Sequence, residues 1–513
     1  RNCAEWETCT GVLLRYPLGL PYDLLRDLDD DVILHVVVSS SYLGSAQTNL
    51  AANGVDMDRV QFLVKPNDSI WVRDYGPWFV FDGDDSLVII NHVYNRPYRP
   101  NDNLIPIYFG EQQGIPVYSH DMWHTGGNYM TDGAHISSST RLVYDEAASA
   151  NGMTQAEVDQ LMLDYYGVEN YRVLDYIESG GIHHIDTWAK FIDEETVLVK
   201  EVWPGHPTYD TLNQRATLLA SLEASTGRNY QVYRVYCYDI GGSQPASYTN
   251  SLILNRTIYV PLFGSAAYDD DAMQTYRDAA PGYVVRGYDY PSWLSDDALH
   301  CRAKGVMDRR MLRIAHIPIR DPQEGPVLVS AEIEDHSGTG VSQAELHYRQ
   351  GLSAWAVVEM TPVSGDRYEA LIPAPASPTA TSYYLHAESV AGRSAGMPRV
   401  EPDAWYSFDQ SAAPSGVAEL IARPPAPWSA PNPFRTETRF RFELAYPGHV
   451  ELVVFDVHGR RVRRLLDGTQ PAGPSEITWD GKDDAGRRLP AGVYQFRLRA
   501  AGIQYARPVT LLP

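Results

Sequence analysis

The hydrophobic pattern of the chain changes character twice. Up to about residue 320, short apolar runs alternate with segments of helical spacing. VILHVVVSS (32–40) is apolar almost throughout and predicts a buried strand. WFVFDGDDSLVIINHVY (78–94) sets two strand-like runs around the turn signal DGDD and predicts a hairpin. TWAKFIDEETVLVKEV (187–202) and SLILNRTIYVPLF (251–263) repeat that arrangement. Between them lie three predicted helices. TQAEVDQLMLDYYG (154–167) opens on a Thr154/Glu157 capping box and stops at Gly167. Residues 207–227 carry leucines at helical spacing and stop at a glycine, and 269–282 close the same way. The recurring order of hairpin, helix and strand predicts a degenerate repeat of mixed α/β units.

After Asp321 the texture becomes alternating strands with turn signals at regular intervals, the pattern of a β-sandwich. A Pro/Ala/Ser-rich stretch (411–434) reads as a linker, and a second all-β unit follows it. Three domains are expected: 1–320 mixed α/β, 321–412 immunoglobulin-like, and 425–513 all-β.

Composition narrows the function. The net charge of −23 argues against a nucleic-acid partner, which needs a basic face. It suits a cationic substrate through long-range attraction, although solubility alone accounts for it as well. No apolar run reaches the roughly 18–20 residues needed to span a bilayer. The chain starts at Arg1 without a basic and then apolar leader, so an exported protein would be a processed form. Four cysteines do not make a disulfide scaffold, though Cys3 and Cys9 are spaced to close a small loop. With neither CxxC nor HExxH present, no metal is expected.

Six short motifs place polar residues where strands meet turns: SIWVRDYGPW (69–78), YNRPYRPND (94–102), HTGGNYMTDG (124–133), IHHIDTWAK (182–190), SYTNSL (247–252) and DALHCRAKGV (297–306). Singly each has an ordinary explanation. Asp74 beside Arg73 is compatible with a structural ion pair, and Asn250 with a turn. His184 and Asp186, two apart on an expected strand, share a face. Jointly they supply a thiol, an imidazole, two carboxylates and an amide. A Cys–His pair alone serves acyl transfer and leaves both carboxylates unexplained. A guanidinium explains them, because its planar N–H fork is gripped bidentately by carboxylates. Held between Asp74 and Asp186, its central carbon would stand still and electron-poor for attack by Cys301. His184 would give a proton to the departing ammonia.

WVRDYGPW, HTGGNYMTDG, HHIDTWAKFID, YTNSLILN and DALHCR together resemble the guanidino-group-modifying superfamily, and most closely its bacterial, periodontal-pathogen type of peptidylarginine deiminase. The resemblance covers nearly all of 1–320 with its motifs in order. It implies a pseudo-fivefold α/β propeller with no organic cofactor or metal, and carries roles onto five residues: Asp74 and Asp186 as guanidinium ligands, His184 as general acid/base, Asn250 as completing the catalytic set, and Cys301 as nucleophile. Trp71 and Ile182 match positions lining the arginine pocket. His300 is expected to be secondary.

Specificity is expected in R-P-Y-R-P-N-D (96–102). The family's two arginines bind the substrate's C-terminal carboxylate. Arg96 matches, while Tyr98 intervenes and displaces Arg99 by one place. Asp296 stands where the pattern has a threonine, and would favour a longer cationic substrate or simply be solvated. PNPF, LVVFDVHGRRVRRLL and WDGKDDAGRRLPAGVYQFRL resemble the FlgD-like sorting domain of type IX secretion cargo, which implies export and a cell-surface or secreted location. The expected reaction is conversion of arginine in peptides and proteins, preferably C-terminal, to citrulline. Agmatine deimination, or a secreted binding protein without catalysis, are the alternatives.

Overall fold

The computed structural model describes residues 1–412, 428–444, 448–457, 459–470, 473–500 and 503–513. They form two compact units, 1–412 and 413–513.

The first 310 residues fold into five small sheets built on one plan. In four of them an antiparallel hairpin is followed by helix and then by a strand parallel to the hairpin's second strand. Trp78–Phe81 and Leu87–Tyr94 form the first hairpin, and Val117–His124 returns parallel after the helix Ile105–Gln113. Met130–Thr131, Ile136–Thr140 and Asn170–Leu174 make the next sheet. Ala189–Phe191, Thr196–Glu201 and Gln231–Tyr236 make the third. Leu252–Leu254, Thr257–Leu262 and Val284–Asp289 make the fourth. The fifth joins the ends of this region: Cys9–Tyr16 runs parallel to Ile33–Val38 and antiparallel to Lys304–Met307. The three hairpins and the buried strand at 32–40 were all legible in the pattern.

Helix ends follow local chemistry. Gln155–Tyr166 carries the expected capping box, with the Thr154 hydroxyl accepting from the Glu157 amide and the Glu157 carboxylate from that of Thr154, and ends on Gly167 at φ 67°. The helix expected over 207–227 is Tyr209–Ser221. It stops short of Gly227 because Leu222–Tyr230 turn back on themselves, with Ala224 N donating to Arg228 O at 2.7 Å. The helix expected over 269–282 is Ala266–Ala279, beginning three residues earlier.

Residues 312–411 form two antiparallel-rich sheets around Val329, Ile333, Leu346, Tyr383 and Leu385. Leu312–Ala315 already pairs with Val327–Asp335, so the cut near 320 separates two strands of one sheet. This sandwich is bolted to the α/β region by buried polar contacts, which makes 1–412 one unit. Arg399 pairs with Glu194, Arg313 bridges Glu7 at 3.1 Å and Glu334 at 3.0 Å, and His336 stacks on Phe81 at 3.7 Å.

The second unit holds two sheets around Phe434, Phe440, Trp479, Phe496 and Leu498. Of the expected linker, 413–427 lies outside the described residues. Its end is structured: Trp428–Ala430 is a strand and Phe434 is core.

Candidate active site

Each hairpin is entered through a short turn, and these turns carry the singled-out residues. Asp74 lies on the one-turn helix Val72–Tyr75, Gly127 on Gly126–Asn128, Asp186 on Ile185–Thr187, and Cys301 on His300–Arg302; Asn250 stands just before Leu252–Leu254. His184 and Asp186 are therefore not on a strand, as expected, but at the head of a 3-10 turn. A 3-10 turn directs successive side chains to different sides, which lets residues from five sheets converge.

Convergence is tight. The Asn250 amide donates to Cys301 Sγ at 3.3 Å and to Asp186 Oδ2 at 3.3 Å. Its oxygen accepts from the amides of Ala298 (3.1 Å) and Cys301 (3.2 Å), so Asn250 holds the cysteine turn by side chain and backbone together. The Cys301 thiol lies 3.8 Å from Asp186 Oδ2. His184 Nδ1 is 3.6 Å from Asp74 Oδ1, which also accepts from the Gly127 amide at 3.2 Å. A bidentate Arg302–Asp297 pair (3.0 and 2.8 Å) pins the cysteine turn from behind. Cys301 is 2% exposed and His184 1%. Within this closed space Asp186 Oδ1 and both ring nitrogens of His184 have no protein hydrogen-bond partner. Buried polar atoms are usually paired, so these atoms are available to bond an occupant of the site.

Electrostatics points to the charge of that occupant. Burial, with Asp186, Asp297 and Asp74 adding to it, holds the Cys301 thiol well above its usual range. Burial likewise raises Asp74, with His184 opposing and Asp186 reinforcing. A cation seated between the carboxylates would relieve both.

The remaining cysteines are free and buried, so Cys3 and Cys9 do not close a loop. Burial pushes Cys3 up to about 12 and Cys237 up to about 11. Among the described residues no group of three or more His, Cys, Asp or Glu is placed to hold a metal ion.

The arginine loop lies beside the site. Asp102 accepts from the amides of Asp68 and Ser69 and from the Ser69 hydroxyl at 2.6 Å, tying R-P-Y-R-P-N-D to the segment that carries Trp71 and Asp74. Arg99 stacks over Trp71 at 4.3 Å and donates to Tyr94 Oη at 2.9 Å. Arg96 is not free: its Nη1 lies 3.8 Å from Glu146 and donates to Asn95 O. Tyr98 is 69% exposed, whereas Ile182 and Asp296 are half-buried, with the Asp296 carbonyl 3.9 Å from Cys301 Sγ.

Two expectations change. Arg73 does not pair with Asp74; its Nη1 faces Glu5 at 3.5 Å and its Nε donates to His300 O. His300 is not peripheral, because its ring bridges Asp186 Oδ2 (2.7 Å) and Glu5 Oε2 (2.6 Å). Glu5, Gly127 and Glu146 were missed; only Gly127 had a signal, the glycine doublet in HTGGNYMTDG.

Deiminases that act on guanidino groups share this mixed α/β architecture. The chain is 23% identical over 297 residues (50% of this chain, 79% of the relative) to a Listeria monocytogenes protein named "Putative agmatine deiminase 2". It superposes on the agmatine deiminase of Enterococcus faecalis with a TM-score of 0.53 at 20% identity, covering 60% of this chain and 96% of that one. A C. jejuni agmatine deiminase with substrate bound matches with a TM-score of 0.51 at 15% identity, covering 60% and 96%. Within this class, residues 20–304 match the Porphyromonas-type peptidyl-arginine deiminase family, and the chain belongs to that family. Residues 432–502 match the FlgD Ig-like domain. No helix among the described residues is long and apolar enough to cross a membrane.

Proposed function

We propose that this protein hydrolyses the guanidinium of arginine in peptides and proteins, C-terminal arginine above all, to citrulline and ammonia. The carrying observation is the pair of buried carboxylates, Asp74 and Asp186, flanking Cys301 beside an unpaired Asp186 oxygen and an unpaired His184 ring. Binding of the cation lowers the cost of a thiolate and releases the Cys301 proton. Sulfur adds to the guanidinium carbon, the C–N bond breaks, and ammonia leaves with a proton from His184. Water, deprotonated by His184, then adds to the thiouronium, and the C–S bond breaks to return thiolate and a ureido product.

Thiol reactivity tests the substrate-assisted step. With its pKa raised, Cys301 is protonated at neutral pH, so alkylation by neutral iodoacetamide should keep accelerating beyond pH 9. A cationic haloacetamidine should label Cys301 at pH 7 about 100-fold faster than iodoacetamide, read by mass spectrometry. Equal rates would remove the cation from the activation step.

In this reading Arg96 exchanges Glu146 for the substrate's C-terminal carboxylate, with Arg99 held alongside on Trp71. Agmatine deimination is the second reading, favoured by the names of the relatives. A panel of free arginine, agmatine, and peptides with internal or C-terminal arginine, assayed for ammonia and the ureido product, separates the two. Arg96→Ala should raise KM for the C-terminal arginine peptide about 10- to 100-fold, the worth of a charge-assisted pair, and leave agmatine nearly unaffected. Agmatine outpacing every peptide would overturn the peptide reading, and no ammonia from any guanidine would overturn both.

The five like sheets, closed by Lys304–Met307 on Cys9–Tyr16, support a pseudo-fivefold propeller over 1–320. Residues 321–412 would be its immunoglobulin-like companion. The FlgD Ig-like match supports 425–513 as a sorting domain read by a type IX secretion machinery, and so a secreted or surface-attached enzyme.

A further inference from the structure

Behind the Asp186–His300 pair lies a largely enclosed cavity of about 40 Å³, whose charged lining comprises Glu5, Arg73, Asp186, Lys190, His300 and Lys304. The charges do not balance. Glu5 serves several donors at once: Lys190 Nζ at 2.7 Å and the Ile253 amide on one oxygen, His300 at 2.6 Å and Arg73 Nη1 at 3.5 Å on the other. Lys190 also donates to Ser251 O at 2.6 Å and is satisfied. Asp186 takes His300 and faces the thiol side.

Lys304 is left over. It is 5% exposed, its ammonium lies 3.5 Å from the centre of the Trp78 ring, and among the described residues it has no hydrogen bond or carboxylate partner. Arg73 is 3% exposed and its Nη2 is buried without a partner. Two cationic donors thus line a cavity whose two carboxylates, Glu5 and Asp186, are already engaged by other groups. An uncompensated buried charge is costly, and burial together with Arg73 presses the Lys304 pKa well below its usual value.

We propose that this cavity binds one small monovalent inorganic anion, of the halide class, between Lys304 Nζ and Arg73 Nη2. Water would satisfy the donors, whereas an anion would in addition hold Lys304 as the ammonium that burial and Arg73 disfavour. A cavity needs roughly 10–15 Å³ to admit one water, so about 40 Å³ has room for a halide with a water. A metal cation is excluded by the surrounding positive charge. The site is distinct from the catalytic centre, from which the Asp186–His300 pair divides it.

Crystals grown in concentrated bromide test this directly. The expected result is an anomalous bromide peak in the cavity, in contact with Lys304 and Arg73; a cavity holding only water overturns the proposal. In solution, replacing gluconate by chloride at constant ionic strength should raise the unfolding midpoint by about 2 °C for each tenfold rise in chloride above saturation. Lys304→Met keeps an unbranched side chain against Trp78 without the ammonium and should abolish both peak and rise. Persistence of either in Lys304→Met would overturn the assignment. If that variant does not fold, the bromide map of the unaltered protein decides alone.

Discussion

Cys301→Ala should release ammonia from the proposed peptidyl-arginine substrate at least about 10⁴-fold more slowly than the unaltered protein, yet still bind the peptide. The size of the loss follows from covalent catalysis. The thiol splits a difficult displacement by water into two easier steps, and without it the two carboxylates only hold a cation in place. Binding survives because Asp74, Asp186 and Asn250 keep their positions: Asn250 is fixed through the amides of Ala298 and Cys301, which alanine retains. Affinity should be largely retained, since the two carboxylates hold the cation and alanine removes only what the thiolate adds. Ammonia release and calorimetric titration with a C-terminal-arginine peptide check the two halves. Substantial turnover by Cys301→Ala would remove the thiouronium route altogether.

What was legible in the sequence was the part encoded locally. The hairpin at 78–94 could be read because DGDD interrupts two apolar runs, and the helix Gln155–Tyr166 because both of its caps are written in neighbouring residues. The candidate site was legible for a different reason. A thiol, an imidazole and two acids have few joint uses, so their residue types spoke before their positions were known. The structure brings Asp74, His184, Asp186, Asn250 and Cys301 together. The scaffold behind them was not readable. Glu5 is one of two acids in RNCAEWETC, and only folding carries it to His300, 295 positions away. The same holds for Arg73, whose sequence neighbour Asp74 is the obvious partner but faces the other way: the Val72–Tyr75 turn sends one side chain to Glu5 and the next to His184. The helix expected over 207–227 overruns the observed Tyr209–Ser221 because its stop is a backbone turn at Leu222–Tyr230, where helix-forming residues occupy non-helical positions.

Gly127 shows the same limit in its sharpest form, and here the structure predicts two opposite outcomes for two adjacent glycines. A Cβ on Gly127 would stand 2.6 Å from His184 Nδ1, 2.8 Å from Asp74 Oδ1 and 3.2 Å from Asp186 Oδ2. All three are side-chain atoms of the site, and the Gly127 backbone is outside the left-handed region, so alanine is conformationally allowed. The methyl group is accommodated by displacing the imidazole and the carboxylate. A displacement near 1 Å is enough to cost about 100-fold in a reaction that depends on alignment, so Gly127→Ala should lose roughly 10²- to 10³-fold in kcat. Its melting temperature should fall by only a few degrees, the usual cost of modest overpacking. Gly126 differs, since a Cβ there would meet the Arg73 carbonyl oxygen at 2.0 Å. Backbone cannot swing aside as a side chain does, and moving it would pull the Val72–Tyr75 turn out of place. Gly126→Ala should therefore lose its cooperative melting transition or express unfolded. Thermal melts and kcat on the two variants decide the matter. Full activity in Gly127→Ala, or equal destabilisation of both, would show that the glycine doublet serves the backbone alone and that His184 and Asp74 do not need the space it leaves.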